Sequence, residues 1–505
     1  MKRKLKLRTI KTKLIVDCVR KQLNCVRKQL IFNIQTMKHR SSLVYILTFG
    51  FVALIILYSC SERKNNEAIS AEDSIPPLDK SLTLKPPMGW NSWDCLGWGA
   101  TEDEVKAAAD YMAKNLKSLG YEYIVIDMLW YGDEAAVDFE AFVHETIPIK
   151  PTYALDEFGR LLPHPSRFPS AANGKGFKPL ADYVHSLGLK FGVHVLRGIP
   201  WEAADKNMTI KGTSIGAASI AQPDKGCEWY DGFYGVDMSK PGAQEYYNSQ
   251  FELFAEWGVD FVKADDVTNV PELEGISIAS RMSGRKMVLS VVPDNLPYDA
   301  LRANAHMART GADFWDVWQM VKVGFPVADR AVKEAEPGFW PDLDMLPVGK
   351  LGLKISYKGP DPRISNFNKN ELHALLTLWY IARMPLMIGG YLPETDDTTL
   401  ELLSNEEALA VNRTCINPRK IKFKNAVIIW AADIPESEDK YLAFFNQWES
   451  HEPVETTVRF DQLGLRSGVE YKVRDLWAKK ELGTFKDSFS YPIPAHGAGL
   501  YRITK

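Results

Sequence analysis

The sequence is poor in cysteine and lacks the common cofactor-binding motifs. Only six cysteines occur in 505 residues, and Cys95, Cys227 and Cys415 are the only ones that lie beyond residue 60. An odd set so widely spaced forms neither a disulfide framework nor a metal site. The chain has no His-Glu-x-x-His motif, phosphate-binding loop or dinucleotide glycine fingerprint. A formal net charge of −3 gives no reason to expect nucleic acid. We therefore expect no metal, no cofactor and no nucleic-acid partner.

Residues 1–36 do not have the composition of a folded domain. They are basic, contain Asp17 as their single acid, and repeat the stretch Cys-Val-Arg-Lys-Gln-Leu at Cys18 and Cys25. A basic arm that binds nucleic acid is conceivable. We favour a non-native upstream extension of the reading frame, because a well-formed export signal begins at Met37.

Residues 37–60 have the order of a lipoprotein signal peptide. A positive start is followed by an apolar run over 43–57, which has the length of a signal core rather than of a membrane span. The run ends in Leu57-Tyr58-Ser59-Cys60, which resembles a lipobox. We predict a mature chain that starts at a lipidated Cys60, with a tether over 61–84 and membrane contact only through that lipid. The location would be the bacterial cell envelope, periplasmic or on the outer-membrane surface. A membrane anchor helix is the alternative.

Residues 85–414 alternate strand-like and helix-like segments. The predicted helix over 101–119 repeats apolar residues on one face, and Thr101 with Glu104 forms a capping box. Eight strands alternating with helices predict an α/β fold, the (β/α)8 TIM barrel. The long insertion over 200–234 is expected to cover the site. The strands are predicted at 88–93, 123–126, 190–195, 259–262, 287–292, 305–308, 343–346 and 385–389.

Residues 415–505 read differently, as short strands separated by turns with almost no helix. This pattern predicts a small C-terminal antiparallel β-sandwich domain. A carbohydrate-binding module is one interpretation, and we favour a packing domain without a ligand. The strands are predicted at 426–431, 440–446, 454–460, 471–476 and 500–503.

Charged residues follow several barrel strands at their carboxyl ends, where such barrels place active sites. The clearest case is Val259 to Asp266, an apolar run that ends in Lys263, Asp265 and Asp266. A single acidic turn would be read as solvated surface, but three other runs repeat the pattern. Several acids with one lysine and one arginine suit binding of sugar hydroxyls and acid–base chemistry. A retaining glycosidase needs two such carboxyls about 5 Å apart. The strand-end residues are Asp127, Lys263, Asp265, Arg309, Asp313 and Asp344.

Four segments in the chain carry further information. They are Pro86-Pro-Met-Gly-Trp-Asn-Ser-Trp93, Val259-Asp-Phe-Val-Lys-Ala-Asp265, Arg309-Thr-Gly-Ala-Asp313 and Trp340-Pro-Asp-Leu-Asp-Met-Leu346. In this order they resemble the signature segments of glycoside hydrolase family 27, and the resemblance runs from about residue 85 to the C-terminus. It implies a barrel with a C-terminal β domain, hydrolysis with retention, and no cofactor.

The same resemblance implies roles for single residues. Asp265 matches the family's nucleophile and Asp313 its acid/base, while Asp266 is a supporting residue. The positions implied to bind sugar or line the pocket are Trp93, Asp127, Lys263, Arg309 and Asp344.

The sugar-binding positions also depart from the family's pattern. The family's paired acids after the second strand, which bind the 4- and 6-hydroxyls of galactose, are Asp127 and Met128 here. Its third-strand tyrosine is replaced by His194, and a polar group near the end of the fifth strand by Val291. A hydroxyl left facing an apolar side chain costs about 1–3 kcal/mol. We therefore count Met128 and His194 among the substrate-binding residues, although His194 could equally be a packed histidine.

The sequence thus predicts an exo-acting retaining glycosidase. Its first-ranked substrate is terminal α-linked galactose of oligo- or polysaccharides, hydrolysed by double displacement. A relative that acts on an arabinopyranoside, an N-acetylgalactosaminide or a glucan is one alternative. A catalytically silent carbohydrate-binding barrel is the other. The presence of both Asp265 and Asp313 favours an enzyme, because a binding protein needs neither a nucleophile nor an acid.

Overall fold

The computed structural model describes residues 75–133, 152–354, 361–449 and 452–505. The predicted extension, the signal peptide with Cys60, and the tether up to residue 74 lie outside these ranges and stay predictions. Within the described part of the chain, no helix is both long and apolar enough to cross a membrane.

Eight parallel strands form the barrel and confirm the predicted fold. Each of the first six barrel strands pairs with the barrel strand that follows it, and the first strand also pairs with the eighth, with Met88 opposite Leu386. The remaining gap is closed by one parallel bridge between Leu346 and Ile388. The strands are β1 (Met88–Asn91), β2 (Tyr123–Ile126), β3 (Lys190–Leu196), β4 (Phe261–Val267), β5 (Val288–Pro293), β6 (Met307–Arg309), β7 (Trp340–Asp342) and β8 (Leu386–Ile388).

Helices surround this barrel, and local signals in the sequence set their ends. The predicted capping box is present, since Glu104 accepts a hydrogen bond from the backbone N–H of Thr101 at 2.9 Å. Asn368 and Glu371 form a second box. The helices are α1 (Trp93–Leu96), α2 (Glu102–Asn115), α3 (Lys178–Ser186), α4 (Trp201–Asp205), α5 (Ala243–Trp257), α6 (Val270–Met282), α7 (Tyr298–Asn304), α8 (Trp318–Ala331), α9 (Lys369–Ile381), α10 (Asp397–Leu403) and α11 (Glu406–Thr414).

The seventh strand lies earlier in the chain than predicted. It was expected over 343–346, but the ladder runs over Trp340–Asp342. The chain turns immediately afterwards, because Asp344 has φ 98° and its N–H donates to Oδ1 of Asp342 at 2.9 Å. The apolar stretch that suggested the strand is buried for another reason, since Leu346 makes the closing bridge.

A roof segment, residues 197–239, connects β3 to α5. It contains the predicted insertion and folds into helix α4 and a three-stranded antiparallel sheet. The central strand Phe233–Val236 pairs with Ile199–Pro200 on one side and with Ala221–Gln222 on the other. A second short hairpin pairs Lys350–Leu351 with Arg363–Ile364.

The C-terminal domain is a two-layered antiparallel sandwich, as predicted. Six strands form one sheet and two form the other, and Phe444 and Phe489 stack between the layers with ring centroids 5.8 Å apart. The domain packs on the barrel, where Nε1 of Trp477 donates to Oγ1 of Thr377 at 2.9 Å. The strands are β9 (Ile416–Lys424), β10 (Val427–Asp433), β11 (Lys440–Asn446), β12 (Val454–Arg459), β13 (Glu470–Asp475), β14 (Lys480–Lys486), β15 (Ser488–Ile493) and β16 (Ala498–Thr504).

Candidate active site

A pocket of about 430 Å³ lies at the carboxyl ends of the barrel strands. Its volume is within the range of about 300–1,000 Å³ that is usual for small-molecule sites. The structure brings almost all the predicted site residues together in this pocket. Its lining includes Trp93, Asp127, Met128, His194, Lys263, Asp265, Arg309 and Asp313.

Asp265 is held from three sides at the end of β4. Its Oδ2 accepts a hydrogen bond from Nε2 of His194 at 3.1 Å and lies 3.9 Å from Nζ of Lys263. Its Oδ1 accepts a hydrogen bond from the N–H of Asp266 at 2.7 Å. Burial by itself would raise the pKa of Asp265, but the His194 hydrogen bond and the Lys263 charge together lower it below its ordinary value. The carboxylate is therefore ionised and fixed, as a nucleophile must be.

Lys263 and Asp127 form a buried ion pair beside Asp265. Nζ of Lys263 donates to Oδ2 of Asp127 at 2.9 Å. The Asn and Ser of the Trp-Asn-Ser-Trp segment support Asp127: Nδ2 of Asn91 donates to its Oδ2 at 2.7 Å, and Oγ of Ser92 accepts from its N–H at 2.9 Å. Burial opposes ionisation of Asp127, but the charge of Lys263 brings its pKa well below the ordinary value. Two opposite charges at fixed positions suit the recognition of adjacent sugar hydroxyls.

Arg309 holds the predicted acid/base. Its Nη2 donates to Oδ1 of Asp313 at 3.0 Å, and its Nη1 donates to Oδ1 of Asp344 at 2.6 Å. Oδ2 of Asp344 accepts from the N–H of Phe314 at 2.8 Å. Asp344 is 3% exposed and is not among the residues that line the pocket. The sequence led us to expect Asp344 in the pocket wall. Instead it lies outside the lining, and both of its carboxylate oxygens accept hydrogen bonds from protein groups. It orients Arg309 and the Asp313 segment from behind.

The altered positions differ in what they contribute. Met128 lines the pocket beside Asp127 and is 2% exposed, and its N–H donates to Oδ1 of Asp127 at 2.8 Å. His194 is committed to Asp265, so its ring does not replace the family's second acid. Val291 is fully buried and does not line the pocket, whereas Val292 does. Met128 therefore gives the pocket an apolar position.

Sequence reasoning missed several pocket residues. Trp98, Trp229 and Met345 also line the pocket, and the ring of Trp98 meets that of Trp93 edge-on with centroids 6.2 Å apart. Trp229 lies in the roof segment. The prediction that the insertion covers the site was the one signal that pointed to it.

Arg197 connects the roof segment to the end of β4, the strand that carries Asp265. Its guanidinium donates to the carbonyl oxygens of Lys225 at 3.1 Å and Gly226 at 3.0 Å. It also forms ion pairs with Asp266 at 3.1 Å and with Glu272 at 3.4 Å. Asp266 follows Asp265 in a left-handed conformation with φ 55°, and this backbone conformation accompanies the hydrogen bond from its N–H to Oδ1 of Asp265.

Asp94 is a buried acid next to the pocket that the sequence did not single out. Burial raises its pKa well above the ordinary value, and the nearby charge of Asp344 acts in the same direction. Its Oδ2 has no hydrogen-bond partner among the described residues. Burial therefore disfavours the ionised form of Asp94, in contrast to Asp127, whose pKa is lowered.

The site has the parts of a hydrolase and shows no metal centre in the described ranges. There, no group of three or more His, Cys, Asp or Glu side chains is arranged to hold a metal ion. One ionised, positioned carboxylate and a second carboxyl in the same pocket are the two groups that glycosidic-bond cleavage requires.

Comparisons with known proteins agree with this chemistry. Residues 231–414 match the family model described as alpha galactosidase A, and residues 424–503 match the alpha galactosidase C-terminal beta sandwich domain. An α-galactosidase of Cyamopsis tetragonoloba is 28% identical over 461 residues, which cover 88% of this chain and 92% of that protein.

Solved structures extend the comparison. A β-L-arabinopyranosidase of glycoside hydrolase family 27 from Geobacillus stearothermophilus has 41% identity and a TM-score of 0.80, covering 85% of this chain and 98% of that one. A putative α-N-acetylgalactosaminidase from Bacillus halodurans has 38% identity and a TM-score of 0.73, covering 83% and 97%. The fold, the placement of the two carboxyls and these relationships agree: the chain belongs to glycoside hydrolase family 27 and is an O-glycosyl hydrolase of the α-galactosidase type.

Proposed function

We propose that this enzyme removes single terminal pyranosides that have the ring configuration of α-D-galactose, without requiring carbon 6. It would hydrolyse α-D-galactosides, the substrate ranked first from sequence, and β-L-arabinopyranosides, which share the ring configuration but lack carbon 6. The observation that carries this proposal is Met128 in the pocket wall, with Asp127 already paired to Lys263.

A second observation favours the arabinopyranoside as the better substrate of the two. The family 27 structure with 41% identity is a β-L-arabinopyranosidase, whereas the curated α-galactosidase from Cyamopsis is 28% identical. Moving the hydroxymethyl group of galactose from water into the pocket costs free energy, because its hydroxyl loses hydrogen bonds to water. An apolar methionine offers no hydrogen bond to replace them. The 6-hydroxyl of galactose therefore lacks the acid that would offset that cost.

The substrate proposal is tested by comparing kcat/KM for an aryl β-L-arabinopyranoside and the matching aryl α-D-galactoside. We expect the arabinopyranoside to equal or exceed the galactoside. A galactoside preference of about 10⁴ would show that another polar group binds the 6-hydroxyl. No hydrolysis of either glycoside would remove both candidate substrates.

We further propose a retaining double displacement. Asp265 would attack the anomeric carbon while Asp313 protonates the departing glycosidic oxygen, giving a glycosyl ester of Asp265. Asp313, then a carboxylate, would take a proton from water as the water oxygen attacks the same carbon and releases Asp265. The lowered pKa of Asp265 and the exposed position of Asp313 support this division of roles.

The mechanism is tested by the configuration of the product. NMR of a fresh digest should show the anomer of the substrate retained. Asp265→Ala should lose nearly all activity, and added azide should then give a glycosyl azide of inverted configuration. Release of the inverted sugar by the wild-type enzyme would refute double displacement. Inactivity of Asp266→Ala with activity of Asp265→Ala would mean that Asp266 is the nucleophile.

We also propose that the enzyme is anchored in the bacterial cell envelope by a lipid on Cys60. The support is the order of residues over 37–60 in the sequence. Mass spectrometry of membrane-extracted protein should find a lipidated Cys60 at the N-terminus, and Cys60→Ala should release the protein from membranes. An intact Met1 with unmodified Cys60 would contradict the proposal.

A further inference from the structure

Three exposed side chains form the mouth of the sugar pocket. Among the residues that line the pocket, Trp229, Asp294 and Asp313 are exposed, and the others are buried or half-buried. Asp313 is the group proposed to protonate the departing oxygen. A substrate whose terminal ring fills the pocket must therefore project its leaving group past these three residues.

A second cleft starts at this mouth. It shares Trp229, Asp294 and Asp266 with the sugar pocket, and it continues between the roof segment and the start of α6. Its volume is about 930 Å³, compared with about 430 Å³ for the sugar pocket. The cleft therefore has room for more than one additional sugar ring.

The lining of this cleft suits a sugar chain. Trp229 is 45% exposed, and an indole face offers a rigid apolar surface on which the apolar face of a sugar ring can pack. Gln222, Ser239 and Thr268 also line the cleft and provide neutral hydrogen-bonding groups. An aromatic surface with several polar groups around it is better suited to a ligand with many hydroxyls than to an apolar ligand.

The charge of the cleft narrows the choice of ligand. Arg197 is paired with Asp266 and Glu272 on its floor. The remaining ionisable side chains of the lining are four acids and one base: Asp224, Glu228, Asp237, Asp294 and Lys225. This excess of carboxylates repels uronic acids and sulfated sugars and accepts hydrogen bonds from neutral hydroxyls.

We propose that this second cleft binds the leaving group, and that the leaving group is a neutral oligosaccharide of two or more sugar units. The inference rests on the proposed function, since it assumes that a terminal pyranoside occupies the sugar pocket. It makes the enzyme a debranching or end-trimming glycosidase of neutral glycan chains rather than an enzyme for small aryl glycosides or disaccharides.

The test compares substrates that differ only in the leaving group. The glycosyl fluoride of the accepted sugar places nothing in the cleft, and a disaccharide and a tetrasaccharide with the same terminal residue place one and three neutral units there. Wild-type kcat/KM should rise by about tenfold or more from the disaccharide to the tetrasaccharide, the size expected for one aromatic stacking contact with its hydrogen bonds. A tetrasaccharide with a uronic acid next to the cleaved bond should lose this gain.

Two substitutions fill the cleft from separate segments. Thr268→Trp and Ser239→Trp should each abolish the gain with the tetrasaccharide and leave hydrolysis of the fluoride within about twofold, since both residues lie outside the sugar pocket. The matched control is Ser214→Trp, because Ser214 is an exposed residue of the roof segment that lies outside the cleft. This variant should hydrolyse both the fluoride and the tetrasaccharide like the wild type. Trp229→Ala should lower the ratio of tetrasaccharide to fluoride kcat/KM.

The outcomes separate the two proposals. If the wild-type enzyme fails to hydrolyse the fluoride, the proposed function fails. If the fluoride is hydrolysed but the two cleft-filling variants process the tetrasaccharide like the wild type, the cleft is not the leaving-group site. Hydrolysis of the fluoride also reports whether each variant is correctly folded. If one cleft-filling variant no longer hydrolyses the fluoride, the other variant decides whether the cleft binds the leaving group.

Discussion

His194 and Asp265 lie on neighbouring strands, and Nε2 of His194 donates to Oδ2 of Asp265 at 3.1 Å. The register pairs His194 with Lys263, so the histidine and the lysine reach the carboxylate from adjacent positions. A position that the sequence left undecided between packing and binding is therefore a hydrogen-bond partner of Asp265, the proposed nucleophile.

We predict that His194→Ala moves the acid limb of the pH profile of kcat/KM to higher pH. In the proposed mechanism Asp265 attacks as a carboxylate, and the His194 hydrogen bond helps to hold its pKa below the ordinary value. Loss of that bond raises the pKa, so more of the enzyme is protonated and inactive at low pH.

The control is another histidine that binds an aspartate outside the pocket. Nε2 of His185 contacts Oδ2 of Asp260 at 2.7 Å, and His185→Ala should leave the acid limb in place. An unchanged limb in His194→Ala would show that His194 does not set the pKa of Asp265.

We predict that Asp→Asn lowers activity strongly at one buried acid, Asp127, and hardly at all at another, Asp94. Asp127→Asn removes the charge that pairs with Lys263 and should lower kcat/KM by about 10- to 100-fold, the value of a hydrogen bond between charged groups. Burial raises the pKa of Asp94 well above the ordinary value, so Asp94→Asn should change little charge and stay within about threefold of wild type. Steady-state kinetics at neutral pH measure both. A large loss in Asp94→Asn would mean that Asp94 is ionised.

We predict that Met128→Asp shifts selectivity towards α-D-galactosides. A carboxylate at this position can bind the 6-hydroxyl, so the ratio of galactoside to arabinopyranoside kcat/KM should rise by about tenfold or more. Met128→Leu keeps the apolar character and is the control, and its ratio should match the wild type. If Met128→Asp folds and leaves the ratio unchanged, Met128 does not face carbon 6.

We predict that Asp266→Ala is less stable than Asp266→Gly by about 1 kcal/mol. Both variants lose the ion pair with Arg197, but glycine adopts the left-handed φ of 55° without the steric cost that alanine carries. Chemical denaturation measures the difference in the free energy of unfolding. Equal stability would show that the backbone changes conformation when the carboxylate is removed.

The sequence could predict local structure well because its signals are local. Short apolar runs marked seven of the eight barrel strands, and Thr101 with Glu104 marked the start of α2. The seventh strand was placed a few residues late, because burial of Leu346 comes from a bridge to Ile388, which is distant in the chain.

Much of the candidate site could also be predicted, because carboxyl ends of parallel strands meet at one edge of the barrel. The sequence by itself therefore determined the barrel, the second domain and the set Lys263, Asp265, Arg309 and Asp313. Only the tertiary structure decided which neighbour each side chain meets. In the structure Asp344 accepts a hydrogen bond from Arg309 outside the pocket lining, and His194 is hydrogen-bonded to Asp265. Trp229 of the roof segment lines the mouth of the pocket. These contacts join residues that are far apart in the chain, and neither periodicity nor composition carries information about them.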